Sequence, residues 1–283
     1  MRKVLTHTLP ALLAAGTGLL FVISTSTTLT SCSDFQKALK SDSIAYKFDV
    51  AERYYLKGEY ERTLPLWEEL IALTRGSSLS EKVYYYHAKS VFGMKDYTLA
   101  SYYLTNFTKT FPTSTYAEES AFLSAFCYYK NSPNYELDQT DTREAVNDLQ
   151  LFLVRYPNSI LKDSCNLLID RLRGKLELKQ FNNARQYYRL RNYQGTSVAF
   201  RNFLKAWPNT EFREESLFTI LKADHHLAFN SVESKKKQRI EEAIRSYHNF
   251  ADAFPESIDK REAARLYGQL VQALEQSQPT DTP

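Results

Sequence analysis

Glycine and proline are scarce in this chain of 283 residues, at 8 and 9, and nowhere does a run alternate β-branched with polar residues. Those two absences argue against a loop-rich or sheet-based fold and predict an all-α chain. The usual signatures of chemistry are missing as well. The sequence has no HExxH, no Cys/His metal spacing, no glycine-rich phosphate loop and no nucleophile elbow. His225 and His226 are adjacent, which on a helix turns their side chains about 100° apart and prevents a shared metal. His87 and His248 stand alone. The acidic pairs Glu118-Glu119 and Glu241-Glu242 read as solvated helix faces or as first-turn partners of the helix dipole. No catalytic residue, metal or cofactor is therefore expected.

What the chain does have begins at its N-terminus. Arg2 and Lys3 precede an apolar stretch from Leu9 to Ile23, which is the length of a signal-peptide core and short for a membrane span. The segment closes on Leu29-Thr30-Ser31-Cys32, which resembles the bacterial lipobox. Residues 1–31 are thus expected to be cleaved, leaving Cys32 as a lipidated N-terminus. Removing Arg2 and Lys3 from 36 basic residues leaves 34 against 33 acidic ones. So balanced a chain lacks the basic field that nucleic acid requires. Cys127 and Cys165 lie in apolar helical contexts and are expected as small buried residues. A disulfide between them is the lesser alternative in an oxidising compartment.

Repetition organises the rest. Phe111-Pro112-Thr113-Ser114, Tyr156-Pro157-Asn158-Ser159, Trp207-Pro208-Asn209-Thr210 and Phe254-Pro255-Glu256-Ser257 share one pattern: an aromatic, proline, a polar residue and Ser/Thr. The proline is expected to stop one helix and the Ser/Thr to cap the next. Before each proline the same spacing recurs: Phe107, Leu104 and Ala100; Phe152, Leu149 and Ala145; Phe203, Phe200 and Thr196; Phe250, Tyr247 and Ala243. An earlier unit lacks the proline but keeps Gly58, Tyr60, Thr63, Trp67 and Leu70. The preceding helices carry small-then-large pairs at Ala51/Tyr54, Ala88/Val91, Ala125/Tyr128, Ala184/Tyr187 and, least regularly, Ala223/His226. This resembles the tetratricopeptide (TPR) pattern, and it predicts a solenoid of about five helical hairpins.

The expected layout is a lipidated linker over 32–42, units one to three over 43–160, units four and five over 161–274, and a disordered tail over 275–283. Insertions are predicted inside the third unit, Asn131 to Thr142, and inside the fifth, Asn230 to Arg239. Leu161 to Arg189 reads as one long helix or a helix pair. The Lys235-Lys236-Lys237 run is most simply a solvated loop, with lipid headgroups or an acidic partner as the alternative.

In TPR proteins the first helix of each unit lines a concave groove. Carried onto this sequence, the groove positions are Phe48, Glu52 and Tyr55 in the first unit and Lys82, Tyr85, Lys89 and Phe92 in the second. The third supplies Glu119, Phe122, Phe126, Tyr129 and Lys130. Rings with a few charges suit an extended peptide with aromatic side chains, the lysines receiving a carboxylate. The competing reading packs several of these rings between helices.

A lipobox followed closely by five such units resembles the BamD family of outer-membrane β-barrel assembly lipoproteins. The likeness covers Cys32 to about Ala273 and is carried best by Gly58-Glu59-Tyr60, the aromatic-proline turns and Ser132-Pro133-Asn134-Tyr135-Glu136-Leu137-Asp138-Gln139. That last segment is similar to the third-unit insertion of the Bacteroidetes branch. The resemblance implies a non-enzymatic subunit of the BAM complex, lipid-anchored in the outer membrane and facing the periplasm. It implies unfolded outer-membrane protein precursors bound by the N-terminal units, BamA POTRA domains docked by the C-terminal units, and other BAM subunits as partners. Arg201 and Lys205 are the basic residues that implied docking would use. A SusD-type glycan-binding lipoprotein and a periplasmic TPR adaptor for cell division or envelope tethering remain as alternatives.

Overall fold

A computed structural model describes residues 34–276. Twelve α-helices occupy them and no strand occurs among them: α1 Asp34–Lys40, α2 Ile44–Leu56, α3 Tyr60–Leu73, α4 Ser80–Gly93, α5 Tyr97–Thr110 and α6 Ala117–Asn131, then α7 Thr140–Arg155, α8 Lys162–Arg189, α9 Tyr193–Ala206, α10 Arg213–Phe229, α11 Glu233–Ala253 and α12 Lys260–Gln276. Each helix packs on the next in sequence, and the main contacts that skip a helix join next-but-one pairs such as α2 with α4 and α10 with α12. The chain is therefore an all-α TPR-type solenoid. Five hairpins run from α2/α3 to α10/α11, with α1 and α12 at the ends.

The repeat residues explain the hairpins. Ala51, Ala88, Ala125, Ala184 and Ala223 are all buried, and their small side chains let the paired helices approach closely. Thr63 donates to Ser90 at 2.9 Å, as does the Trp67 indole at 3.1 Å, tying α3 to α4. Within a hairpin the turn uses a left-handed residue: Gly58 at φ +76°, Lys95 at +65° and Arg191 at +57°. After it, Asp96 accepts from the Leu99 amide and Asn192 from the Gly195 amide, capping α5 and α9.

Between hairpins the aromatic-proline motif forms one recurring turn. Phe111, Tyr156, Trp207 and Phe254 are the C-caps of α5, α7, α9 and α11, with extended φ near the values proline demands of its predecessor. The Ser/Thr that follows is not the helix N-cap expected from sequence. Ser114, Ser159, Thr210 and Ser257 instead accept from the backbone N–H two residues on, closing a turn before each helix begins.

Four other expectations change. The segment read as a linker contains α1, because Ala38 is fully buried against the first unit and Arg53 holds Asp34 at 3.2 Å. The third-unit insertion is only the loop 132–139. The fifth-unit insertion is largely helical, since α11 starts at Glu233 and runs 21 residues; Lys235, Lys236 and Lys237 therefore sit on a helix. At the C-terminus α12 continues through Gln276, beyond the expected start of the tail. Residues 1–33 and 277–283, with the segment expected to be cleaved, Cys32 and the rest of the expected tail, lie outside the described residues.

Helix α8 is a single helix of 28 residues and divides the core. Cys165, Leu168, Ile169 and Leu172 join the cluster of α6 and α7, whereas Phe181 and Ala184 join that of α9 and α10. Between Leu172 and Phe181 no residue of α8 belongs to either cluster. The Trp207 indole donates to Gln180 at 2.8 Å, while Lys179 reaches the loop of the third unit. The end of the fourth unit thus stands level with the hairpin loop of the third. The two halves are stepped along α8 by roughly one helix length, ~20 Å.

Candidate functional site: an aromatic stripe across three units

Helices α2, α4 and α6 present the predicted groove positions at helical spacing, and their side chains are laced from helix to helix. Lys82 bonds Glu52 at 3.1 Å, and its ammonium lies 4.9 Å over the Phe48 ring and 5.6 Å over Tyr86. Phe48 meets Trp67 edge-on at 5.4 Å, and Tyr55 meets Tyr86 at 4.9 Å. From α4 to α6, Lys89 pairs with Glu119 at 2.5 Å and the Tyr85 hydroxyl donates to the same carboxylate at 2.6 Å. Phe122, Phe126 and Tyr129 then stack in file, at 5.8 and 5.5 Å with planes 17° apart. Phe92 leans on Phe126 at 6.4 Å, and Lys130 covers that ring at 5.0 Å.

Burial sorts these residues. Phe48, Tyr55, Phe92, Phe122, Phe126 and Tyr129 are half-buried, keeping part of their surface in solvent. Tyr85 departs from its nomination as a groove surface. It is buried, with only 6% of its area exposed, because its ring is stacked on Tyr116 at 4.2 Å and backed by Phe107. Burial, reinforced by the Glu119 carboxylate, pushes its phenol far above the ordinary tyrosine value. Burial also raises Tyr55, to about 12. Burial works against ionising Glu119, yet the Lys89 and Tyr85 hydrogen bonds outweigh it, so the carboxyl stays below its usual range. Two of the stripe's three lysines are therefore not open anion receptors, while exposed Lys130 lies over the Phe126 ring. Lys82 and Lys89 already hold Glu52 and Glu119, and an incoming carboxylate would have to exchange with them.

The sequence reading passed over Tyr86, which stacks on Trp67 at 5.6 Å and touches both Phe48 and Tyr55. Its position one residue beyond Tyr85 was the available signal, since it falls on the face turned toward α2 and α3.

The fourth and fifth units carry less. Arg201 is not a free cation: it pairs with buried Asp224 at 2.8 Å and with Glu242 at 2.5 Å, joining α9, α10 and α11. Lys205 is exposed. A cleft of about 940 Å³ lies between α10 and the turn before α12, lined by Phe212, Phe218 and Phe254 and by more acidic than basic residues, with Glu211, Glu214, Glu215, Glu256 and Asp259 against Lys222. Cys127 and Cys165 are both buried and unpaired, in separate clusters. Burial raises their thiols to about 12 and about 11. Among the described residues no group of three potential metal ligands occurs, and no helix is long and apolar enough to cross a membrane.

The model of one family, described as "YfiO: Outer membrane lipoprotein", matches residues 40–240, from α1 through the first turns of α11. The chain belongs to that family. It is also 27% identical over 119 residues to the outer membrane protein assembly factor BamD of Caulobacter vibrioides. That match covers 41% of this chain and 38% of the relative, well under two thirds of the relative's length. Among solved structures, the TPR2AB-domain:pHSP90-complex of yeast Sti1 aligns over 81% of this chain and 98% of its own. With a TM-score of 0.38 and 10% identity, it adds nothing to the fold described above. The family's matched span takes in all three helices of the aromatic stripe and the whole of α8.

Proposed function

We propose that this outer membrane lipoprotein is a non-enzymatic subunit of the BAM complex, held by lipid on Cys32 and facing the periplasm. Its first three units receive unfolded outer-membrane protein precursors, and its fourth and fifth dock the POTRA domains of BamA. The observation that carries the reading is the stripe of half-buried rings across α2, α4 and α6. Barrel strands alternate apolar with polar residues, and an extended segment of that kind would lay its aromatic side chains against such rings at low entropy cost. The family membership and the resemblance to BamD support the assembly role. The predominantly acidic lining of the C-terminal cleft, rather than the engaged Arg201, is the better charged surface for docking.

Depletion of the protein tests the role. Loss of many β-barrel proteins from the outer membrane is expected, and normal barrel levels would overturn it. Replacing Phe122 and Phe126 by serine tests the stripe. Precursor crosslinking to the purified protein should fall while co-purification of BamA persists; undiminished crosslinking would remove the stripe from the function.

A further inference from the structure

We propose that the tip formed by the turns after α8 and α10 is a lipid-surface contact. In it Leu190, Phe229 and Val232 enter the headgroup layer of an anionic membrane, and Arg191, Lys235 and Lys237 meet its phosphates. This goes beyond the assembly role, which assigns nothing to that tip.

The two turns are neighbours. Tyr193, just past the first, stacks on His226 at 4.5 Å with planes 15° apart, and His225 beside it packs on Phe229 at 4.7 Å. Between them three apolar side chains stand in water: Leu190 is 67% exposed, Val232 66% and Phe229 43%. Basic side chains cluster at the same place. Arg191 occupies a left-handed conformation at φ +57°, as Lys95 does in the second unit, where the same turn of the first unit uses Gly58; this holds a basic side chain at the turn. Lys235, Lys236 and Lys237 fall in the first two turns of α11, where the helix dipole disfavours cations. Lys236 has an acidic partner in Glu233 at 3.5 Å. Among the described residues, Lys235 and Lys237 have no ion-pair partner. Unpaired cations at a helix start beside three exposed apolar side chains suit a contact with an anionic surface outside the chain.

The chemistry selects lipid over protein. A protein partner is usually held by anchors sunk into fitted pockets, whereas these apolar residues project from turns. Exposed aliphatic and aromatic tips ringed by lysines match interfacial membrane contact, in which the ammoniums reach the phosphates while the apolar groups go deeper. A member of an outer membrane lipoprotein family has such a surface constantly within reach.

The test uses residues 32–283 carrying Cys32→Ala, so that no acyl chain contributes and the outcome does not depend on the anchor. Vesicles of phosphatidylethanolamine with phosphatidylglycerol are compared with vesicles of phosphatidylcholine alone, by co-sedimentation and by hydrogen exchange over residues 188–193 and 226–238. Binding to the anionic vesicles only is expected, with protection confined to those segments. Lys235→Glu combined with Lys237→Glu should weaken it on the order of tenfold or more, and Val232→Asn should weaken it without changing charge. Helix content and melting of each variant control for folding. Absence of binding to anionic vesicles, or binding that both well-folded variants retain, overturns the proposal. Protection of the same segments by an acidic protein but not by vesicles would assign the tip to a protein partner instead.

Discussion

His87 and Asp224 are ionisable groups that water barely reaches, and both are held toward their neutral forms. His87 is 4% exposed and lies edge-on to Tyr103 at 4.5 Å; burial lowers it to about 4. Between the ordinary histidine value and that one, the unfolded chain takes up a proton that the folded chain refuses. Stability should therefore fall as pH drops through this window and be indifferent to His87 above it. The histidine's share between pH 7 and pH 5 is about 2 kcal/mol. Urea unfolding of wild type and His87→Phe at both pH values measures it, and equal losses in the two proteins would contradict the assignment. Asp224 is 3% exposed, and burial raises its carboxyl although Ser246 and Arg201 pull the other way. Arg201→Ala strips away the balancing charge and should cost about 2–3 kcal/mol, the guanidinium's own partial exposure keeping the figure below that of a fully buried pair. Lys205→Ala should cost under ~0.5 kcal/mol. If urea midpoints show equal small effects, Arg201 is not structural and returns as a docking candidate.

At the scale of elements, a piece of chain outside the repeat is held by side chains from two sides. The loop 132–139 has no repeat counterpart, yet two lysines of α8 grip it. Lys175 donates to the Ser132 hydroxyl at 2.7 Å and the Pro133 carbonyl at 2.9 Å; Lys179 donates to the carbonyls of Tyr135 and Leu137 at 3.1 and 2.8 Å. From inside, the fully buried Gln139 donates to the carbonyls of Asn134 and Leu137 and accepts from the Thr142 hydroxyl. Burial lowers the Lys175 amine, as expected for an ammonium facing carbonyls rather than a carboxylate. This clamp spans the stretch of α8 that lacks an apolar core, so it fastens the third unit to the fourth. Lys175→Met with Lys179→Met should cost about 2–3 kcal/mol and speed hydrogen exchange across 132–139. Unchanged exchange would show that the loop is held by Gln139 alone. None of this was legible beforehand. The five buried alanines and four aromatic C-caps announced themselves through periodicity, because packing between repeats constrains the same position each time. A lysine bonding carbonyls of a unique loop obeys no period and reads like any solvated charge. Tyr85 was misplaced for a related reason: spacing gives the face of a helix but not the depth to which Tyr116 covers it.

For the molecule as a whole, α1 alters what the lipid does. Read as a flexible linker of about ten residues, the segment after Cys32 would let the first unit range ~35 Å from the membrane. The structure instead packs Ala38 into the first core, bonds Lys47 to both Glu69 and the Leu39 carbonyl, and holds Asp34 against Arg53. Only Ser33 then separates Cys32 from a docked helix, and a tether of two residues reaches at most ~7 Å. A lipid on Cys32 would fix the first unit, and with it one end of the aromatic stripe, against the membrane surface. The step along α8 meanwhile carries the last two units to another level. Localisation and positioning separate experimentally. A flexible Gly/Ser spacer of about 20 residues placed between Ser33 and Asp34 has a root-mean-square span of ~25 Å, which keeps the anchor while freeing the first unit. The spaced protein should fractionate with the outer membrane as before, yet assemble barrel proteins less well when it is the sole copy. Cys32→Ala should lose stable membrane fractionation, leaving only a salt-sensitive contact through the tip of the fourth and fifth units, and with it efficient assembly. Full assembly by the spaced form would leave Cys32 as an address alone, and would mean that the stripe captures its precursors without being held at the membrane.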